Sequence, residues 1–162
     1  MDIEQWHDLF VASAGAAAAL AGLLIVAMSV NVREIITIPS MSSRAGVAIA
    51  SLVLIVVVST CALIPDQPRV ILGLEILVAS AATLAIAVDS AVRIVRVGTV
   101  NSQASALAKG TIAAAPALLF LIGGVLLCAE LPAGLFWVAA GIATAFIVSV
   151  LNAWVLLVEI LR

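Results

Sequence analysis

Two carboxylates stand in otherwise uncharged sequence, Glu75 and Asp89, with 13 uncharged residues between them. On a helix they lie about 21 Å apart along the axis, short of the roughly 30 Å hydrocarbon layer of a bilayer. In a membrane one or both therefore sit below the headgroups, where a central acidic group costs about 2.5–3.5 kcal/mol. A carboxylate held there suits an ion or proton path, or an interhelical hydrogen bond; a side chain reaching back to the boundary is the structural alternative. Asp89 has Arg93 four residues on, a favourable helical pair. Glu75 has no basic residue within one turn, which makes it the stronger candidate for such a path.

A second polar set comprises Ser29, Asn31, Ser51, Ser90, Ser149 and Asn152, with Asp89 at the same depth. Gly141, Ala145, Ser149 and Asn152 recur at steps of four, four and three, one face of a helix. That face is expected to meet the first helix, with Asn152 bonded to Asn31 or Ser29. Bonds of this kind contribute about 0.6 kcal/mol each, which makes them structural glue. A hydrated vestibule is the functional alternative, with Arg33, Arg44, Arg93 and Arg96 at its mouth favouring anions or phosphate headgroups.

The segment SAGAAAALAGLL puts Ala14, Ala18 and Gly22 at successive steps of four, with Gly15 and Ala19 in a row beside them. Small residues at this spacing let helix backbones approach closely, a main source of association in lipid. Two uses are open: packing on the chain's own helices, or self-association around an axis that the small face lines or seals. His7, the one histidine, lies beside Asp8 and near Glu4; it fits either a solvated interfacial side chain or a pH-sensitive external site. Cys61 and Cys128 fall near the same ends of their helices and are either two free buried thiols or a disulfide. No Gly-rich phosphate loop, metal-spaced Cys or His pair, or Ser, His and Asp set occurs. The chain is therefore not expected to be an enzyme, to carry a metal or cofactor, or to bind nucleic acid.

The elements that position these residues follow from composition. Of 162 residues 65% are hydrophobic and 10% charged, and the mean hydropathy is +1.36; ordinary soluble domains are about 45–50% apolar. Five long apolar stretches run from Leu9 to Val32, Ala45 to Ile64, Val70 to Val92, Gly110 to Ala129 and Ala133 to Val158, free of charge but for Glu75 and Asp89 in the third. Each is about 20 residues or longer, enough to span a bilayer as a helix. The expected architecture is thus all-α, a single polytopic membrane domain over residues 1–162 with five transmembrane helices. A short interfacial helix is expected at the N-terminus, where Ile3, Trp6, Leu9 and Phe10 share a face. Pro39, Pro65, Pro68 and Pro132 punctuate the connections, whereas Pro116 falls inside the fourth span and is expected to kink it near Ile112.

Six basic residues (Arg33, Arg44, Arg93, Arg96, Lys109 and Arg162) fall on one side of this arrangement and only Arg69 on the other. The bias directs the C-terminus to the cytoplasm and the N-terminus outside a bacterial plasma membrane. The N-terminus has no basic region or small-residue cleavage site, so the first span reads as retained.

The stretch WHDLFVASAGAAAALAGLLIVAMSVNV, Trp6 to Val32, resembles the opening of a family of small actinobacterial membrane proteins, some labelled "modulator of the FtsH protease". The likeness extends over the five-span layout to NAWVLLVEI, Asn152 to Ile160. ALAGLLIVAMSV, Ala19 to Val30, is also similar to the pore-lining first helix of Orai calcium channels. Val30 stands where those channels carry a glutamate, and the expected topology runs this helix in the opposite direction, so calcium selectivity is not implied. The expectation is a homo-oligomer in the bilayer, conducting ions or small solutes near the first helix, with Glu75 as outer charge and Ser29 and Asn31 at the inner constriction. A non-conducting accessory subunit of another membrane protein is the rival.

Overall fold

Apolar runs bounded by proline and glycine become five helices in the computed structural model, which describes residues 3–30, 32, 39–97 and 103–160. They are α1 (His7–Val30), α2 (Pro39–Ala62), α3 (Arg69–Val97), α4 (Gln103–Cys128) and α5 (Gly134–Ile160). There is no strand among the described residues. By length and composition four stretches can cross a bilayer, namely His7–Val30, Arg44–Ala62, Arg69–Val92 and Gly134–Trp154, while α4 offers the shorter apolar stretch Ile112–Cys128. At the N-terminus Ile3–Trp6 forms one 3-10 turn that runs directly into α1. Trp6 meets Phe136 of α5 edge-on, with ring centroids 5.0 Å apart at 88°, which ties the start of α1 to the start of α5.

Helices α2, α3, α4 and α5 close a ring, each packed on its sequence neighbour and α5 returning to α2. Helix α1 leans on α2 from outside this ring and only brushes α5. The core joins Leu52, Ile55 and Val58 of α2, Leu72 and Ile76 of α3, Phe120 and Leu127 of α4, and Val138 and Ile142 of α5. Phe10, Ala17 and Leu24 are the α1 residues sunk against it. Outward, Leu23, Val30 and Val78 are 68%, 78% and 71% exposed. A surface so apolar is a liability in water and the expected finish in lipid.

The two described connections are tight because the backbone satisfies its own ends. Helix α4 stops in a Schellman turn, with Leu131 N–H donating to Leu126 O at 2.9 Å and Glu130 N–H to Leu127 O at 2.9 Å. Glu130 adopts φ 57° to make it, a left-handed conformation that usually falls to glycine. Asp66 does the same at φ 55° between Pro65 and Pro68, and the Pro68 carbonyl then accepts from Ile71 and Leu72 N–H to start α3. Helix α4 continues through Pro116, which is buried.

Glycine decides how closely the ring closes. A Cβ on Gly73 of α3 would lie 2.7 Å from Cys128 Sγ, 2.9 Å from the Cys128 backbone nitrogen and 2.9 Å from Gly124 O. Gly124 meets Leu77 and Gly73 O as closely, and Gly123 and Gly134 bring α4 and α5 together against Val138 and Leu127. Gly141 receives the Phe120 ring. The stripe expected to meet the first helix is thus turned elsewhere: Gly141 faces α4, and the Ser149 hydroxyl donates to Ala48 O of α2 at 3.4 Å. The ring excludes α1, so a face of α5 that serves α2 and α4 is closed to it.

Candidate functional site

Two places collect the residues singled out by sequence, and they lie on different sides of α2. The first is the outward face of α1. At about 100° per residue, the buried positions Phe10, Ser13, Ala17 and Leu24 lie roughly opposite Gly15, Ala18, Ala19 and Gly22. Those four are exposed and Ala14 is half-buried. A Cβ on Gly15 or Gly22 would meet nothing within 4 Å. The small-residue row is therefore not used for packing within the chain, which relies on the other side of the same helix. Ser29 continues the exposed face, its hydroxyl donating to Val26 O of its own helix at 2.8 Å.

The second place is a groove of about 400 Å³ between α2 and α3, lined by Val57, Cys61, Leu74, Glu75, Val78 and Ala79. Glu75 stands six residues into α3, about 9 Å along its axis. Helical side chains lean toward the N-terminus, so its carboxylate points back toward the α2–α3 turn. There Gln67 Nε2 donates to Glu75 Oε2 at 2.7 Å. The Cys61 thiol lines the same groove as this carboxylate. Gln67 Oε1, on the same amide as the carboxylate's donor, is buried with no partner.

Glu75 was legible in the sequence as a carboxylate in the wrong medium; Gln67 and Cys61 were not linked to it. The available signal was the N-terminal lean of helical side chains, which aims a residue of the second turn at the segment just before the helix. Both cysteines are free thiols. Both pack on α3 in different surroundings, Cys61 beside Glu75 and Cys128 against Gly73, with its thiol 3.7 Å from Val70 O.

Ser29 and Glu75 are not brought together, because α2 stands between α1 and the groove. Asp89 is exposed further along α3 and engaged in an interaction of its own. Asn152 is half-buried on α5. Asn31 and Arg33 lie outside the described residues, as do the side chains of Arg93, Arg96 and Lys109. Four other hydroxyls donate to carbonyls of their own helices, Thr60 to Val56 O, Ser80 to Ile76 O, Thr83 to Ala79 O and Thr144 to Ala140 O, whereas Ser59 Oγ is buried with no partner. Donation of this kind is a common use of Ser and Thr in apolar helices. No group of three or more His, Cys, Asp or Glu able to hold a metal occurs among the described residues.

No protein family, curated protein or solved structure matches this chain. The likeness of Trp6–Val32 to the actinobacterial family accordingly rests on its residues alone.

Proposed function

We propose that this is an integral membrane protein of the bacterial plasma membrane, crossing five times with its N-terminus outside. Copies associate through the outward face of α1 and conduct ions or small solutes along the axis so formed. The observation that carries the reading is the empty space around Gly15 and Gly22. Glycine in a helix interior costs roughly 1 kcal/mol against alanine, and at these two positions the chain makes no contact that offsets it. In lipid, close backbone approach by a second small-residue helix does offset it. The charge bias places Ser29 and Asn31 at the cytoplasmic end of that face. Glu75 belongs to the groove behind α2, so in this reading it does not line the axis.

One observation favours the rival, a non-conducting subunit that packs α1 on another membrane protein. Asp8 is the only acidic residue of α1, which has no Lys or Arg, and the Ser29 hydroxyl is bonded to its own helix, so the face offers a permeating ion little to replace its water. Reconstitution into liposomes separates the two. Flux above empty vesicles that falls in Asn31→Leu supports conduction, and its absence in a preparation shown by native mass to be oligomeric overturns it. A single-chain mass in nanodiscs, with an unrelated protein co-purifying from the membrane, favours the subunit.

A further inference from the structure

We propose that the outward stripe of α3 is a lipid-contact surface built for a bilayer thinner than the one α1 spans, and that it holds a local annulus of short acyl chains. The stripe is Glu75, Val78, Ala82, Ala85 and Asp89, at steps of three, four, three and four, within about 80° of arc around the helix. Glu75 is half-buried and the other four are exposed. A carboxylate closes the stripe at each end, with about 21 Å between the two along the axis. Helical side chains lean toward the N-terminus, so Glu75 points out of the layer to the turn, where Gln67 donates to it. Asp89 leans the opposite way with respect to its own boundary, back along the stripe, and gains no reach toward the headgroups.

The neighbouring helices set the same short distance. The apolar stretch of α4, Ile112–Cys128, is about 24 Å long. On α5 the exposed Trp137 and Trp154 stand about 25 Å apart along the axis, and tryptophan favours the two membrane interfaces. The glycine contacts bring these levels into register. A Cβ on Gly124 would meet Gly73 O and Leu77, and one on Gly123 would meet Gly134 O and Val138, so Glu75 and Trp137 lie at one depth. Helix α1, on the other side of α2, runs from Leu9 to Val30 without a charge, about 32 Å. It matches the roughly 30 Å hydrocarbon layer of an ordinary bilayer, and the α3–α5 side falls short of that layer by about 5–9 Å. A short apolar belt is met by a thinned bilayer or by association with another copy. A second copy inserted in the same direction and packed stripe to stripe would bring Glu75 against Glu75 and Asp89 against Asp89, away from water. Short acyl chains leave both carboxylates at the headgroups, so lipid is the occupant. The inference rests on the chain crossing a bilayer and is independent of whether α1 assembles or conducts.

The test is a lipid competition on the full chain in phosphatidylcholine vesicles. The three tryptophans are replaced by phenylalanine, and one reporter is placed either on the stripe, Val78→Trp, or on α1, Leu23→Trp, positions 71% and 68% exposed. Brominated dioleoyl lipid quenches a reporter that it touches, and unbrominated lipids of other chain lengths relieve the quenching according to their affinity. At Val78 the short dimyristoleoyl lipid is expected to bind about threefold more tightly than dioleoyl lipid, and the long dierucoyl lipid about threefold more weakly. At Leu23 the short-chain preference is expected to be absent. Glu75→Leu combined with Asp89→Leu should bring the ratios at Val78 to about one. The proposal is overturned by equal affinities at Val78 or by the same short-chain preference at both positions. It is also overturned if Leu23 is quenched and Val78 is not, which assigns the stripe to a second copy. Quenching at neither position overturns the membrane reading itself. Where a reporter variant does not fold, the same competition read from Trp137 and Trp154 of the wild-type chain, both on the short side, decides the matter.

Discussion

Glycine serves two opposite purposes in this molecule. At the α3–α4–α5 contacts, Gly73, Gly123, Gly124 and Gly134 stand where a single methyl group would strike backbone or a packed side chain at 3 Å or less. On α1, a Cβ on Gly15 or Gly22 would meet nothing within 4 Å. Both sets read alike in sequence, as small residues on apolar helices. The first set is consumed by the fold, and removing its smallness forces helices apart. The second set is surplus to the monomer, and in a bilayer such a surplus is what a further helix uses.

The largest expected effect tests the consumed set. Gly73→Ala and Gly124→Ala should each destabilise by about 1–3 kcal/mol, because the new Cβ meets backbone atoms that cannot turn aside. Denaturant unfolding in detergent measures this, and a wild-type midpoint would erase the contrast. Gly15→Leu and Gly22→Leu should leave that midpoint within about 0.5 kcal/mol while reducing the native mass to a single chain of 16.5 kDa. An oligomer that survives both substitutions would move the interface off α1.

Glu130→Gly separates conformational need for glycine from steric need. Glu130 holds φ 57° at the end of α4, so glycine there should stabilise by about 1 kcal/mol or less, the relief of left-handed strain reduced by the freer unfolded chain. Ser149→Ala is the smallest expected change, a loss of about 0.6 kcal/mol from the 3.4 Å bond to Ala48 O. If it instead altered oligomer mass with stability unchanged, the α2–α5 contact would belong to the assembly rather than to the fold.

Much of the scaffold was readable before any coordinates. The five long apolar stretches became five helices; α1 and α5 begin within two residues of their expected starts, whereas α2 begins at Pro39, expected in a connection, rather than at Ala45, and α4 at Gln103 rather than at Gly110. Pro65, Pro68 and Pro132 lie in the turns where proline was expected to interrupt helices. The candidate sites were legible only in part. Glu75 was visible because a carboxylate among apolar residues is anomalous in itself. Its bond to Gln67 crosses eight residues and the end of a helix, a distance at which spacing rules for a single helix carry no information. The small-residue row of α1 was visible too, but not the side of the molecule it would face. Of the row Gly141, Ala145, Ser149 and Asn152, Gly141 and Ser149 turn to α4 and α2 rather than to the first helix, for the same reason.

What the sequence determined by itself is the scaffold: apolar runs of about 20 residues, long enough to cross a bilayer, locate the five helices, because every backbone group in lipid must be bonded within its own helix. What only the tertiary structure decided is which face of each helix turns inward. In water that choice is written as alternating polar and apolar sides; in lipid the outside is as apolar as the core, as Leu23, Val30 and Val78 illustrate. The decision passes instead to shape, to where Gly73 meets Gly124 and Phe120 meets Gly141, and such complementarity exists only between helices already side by side.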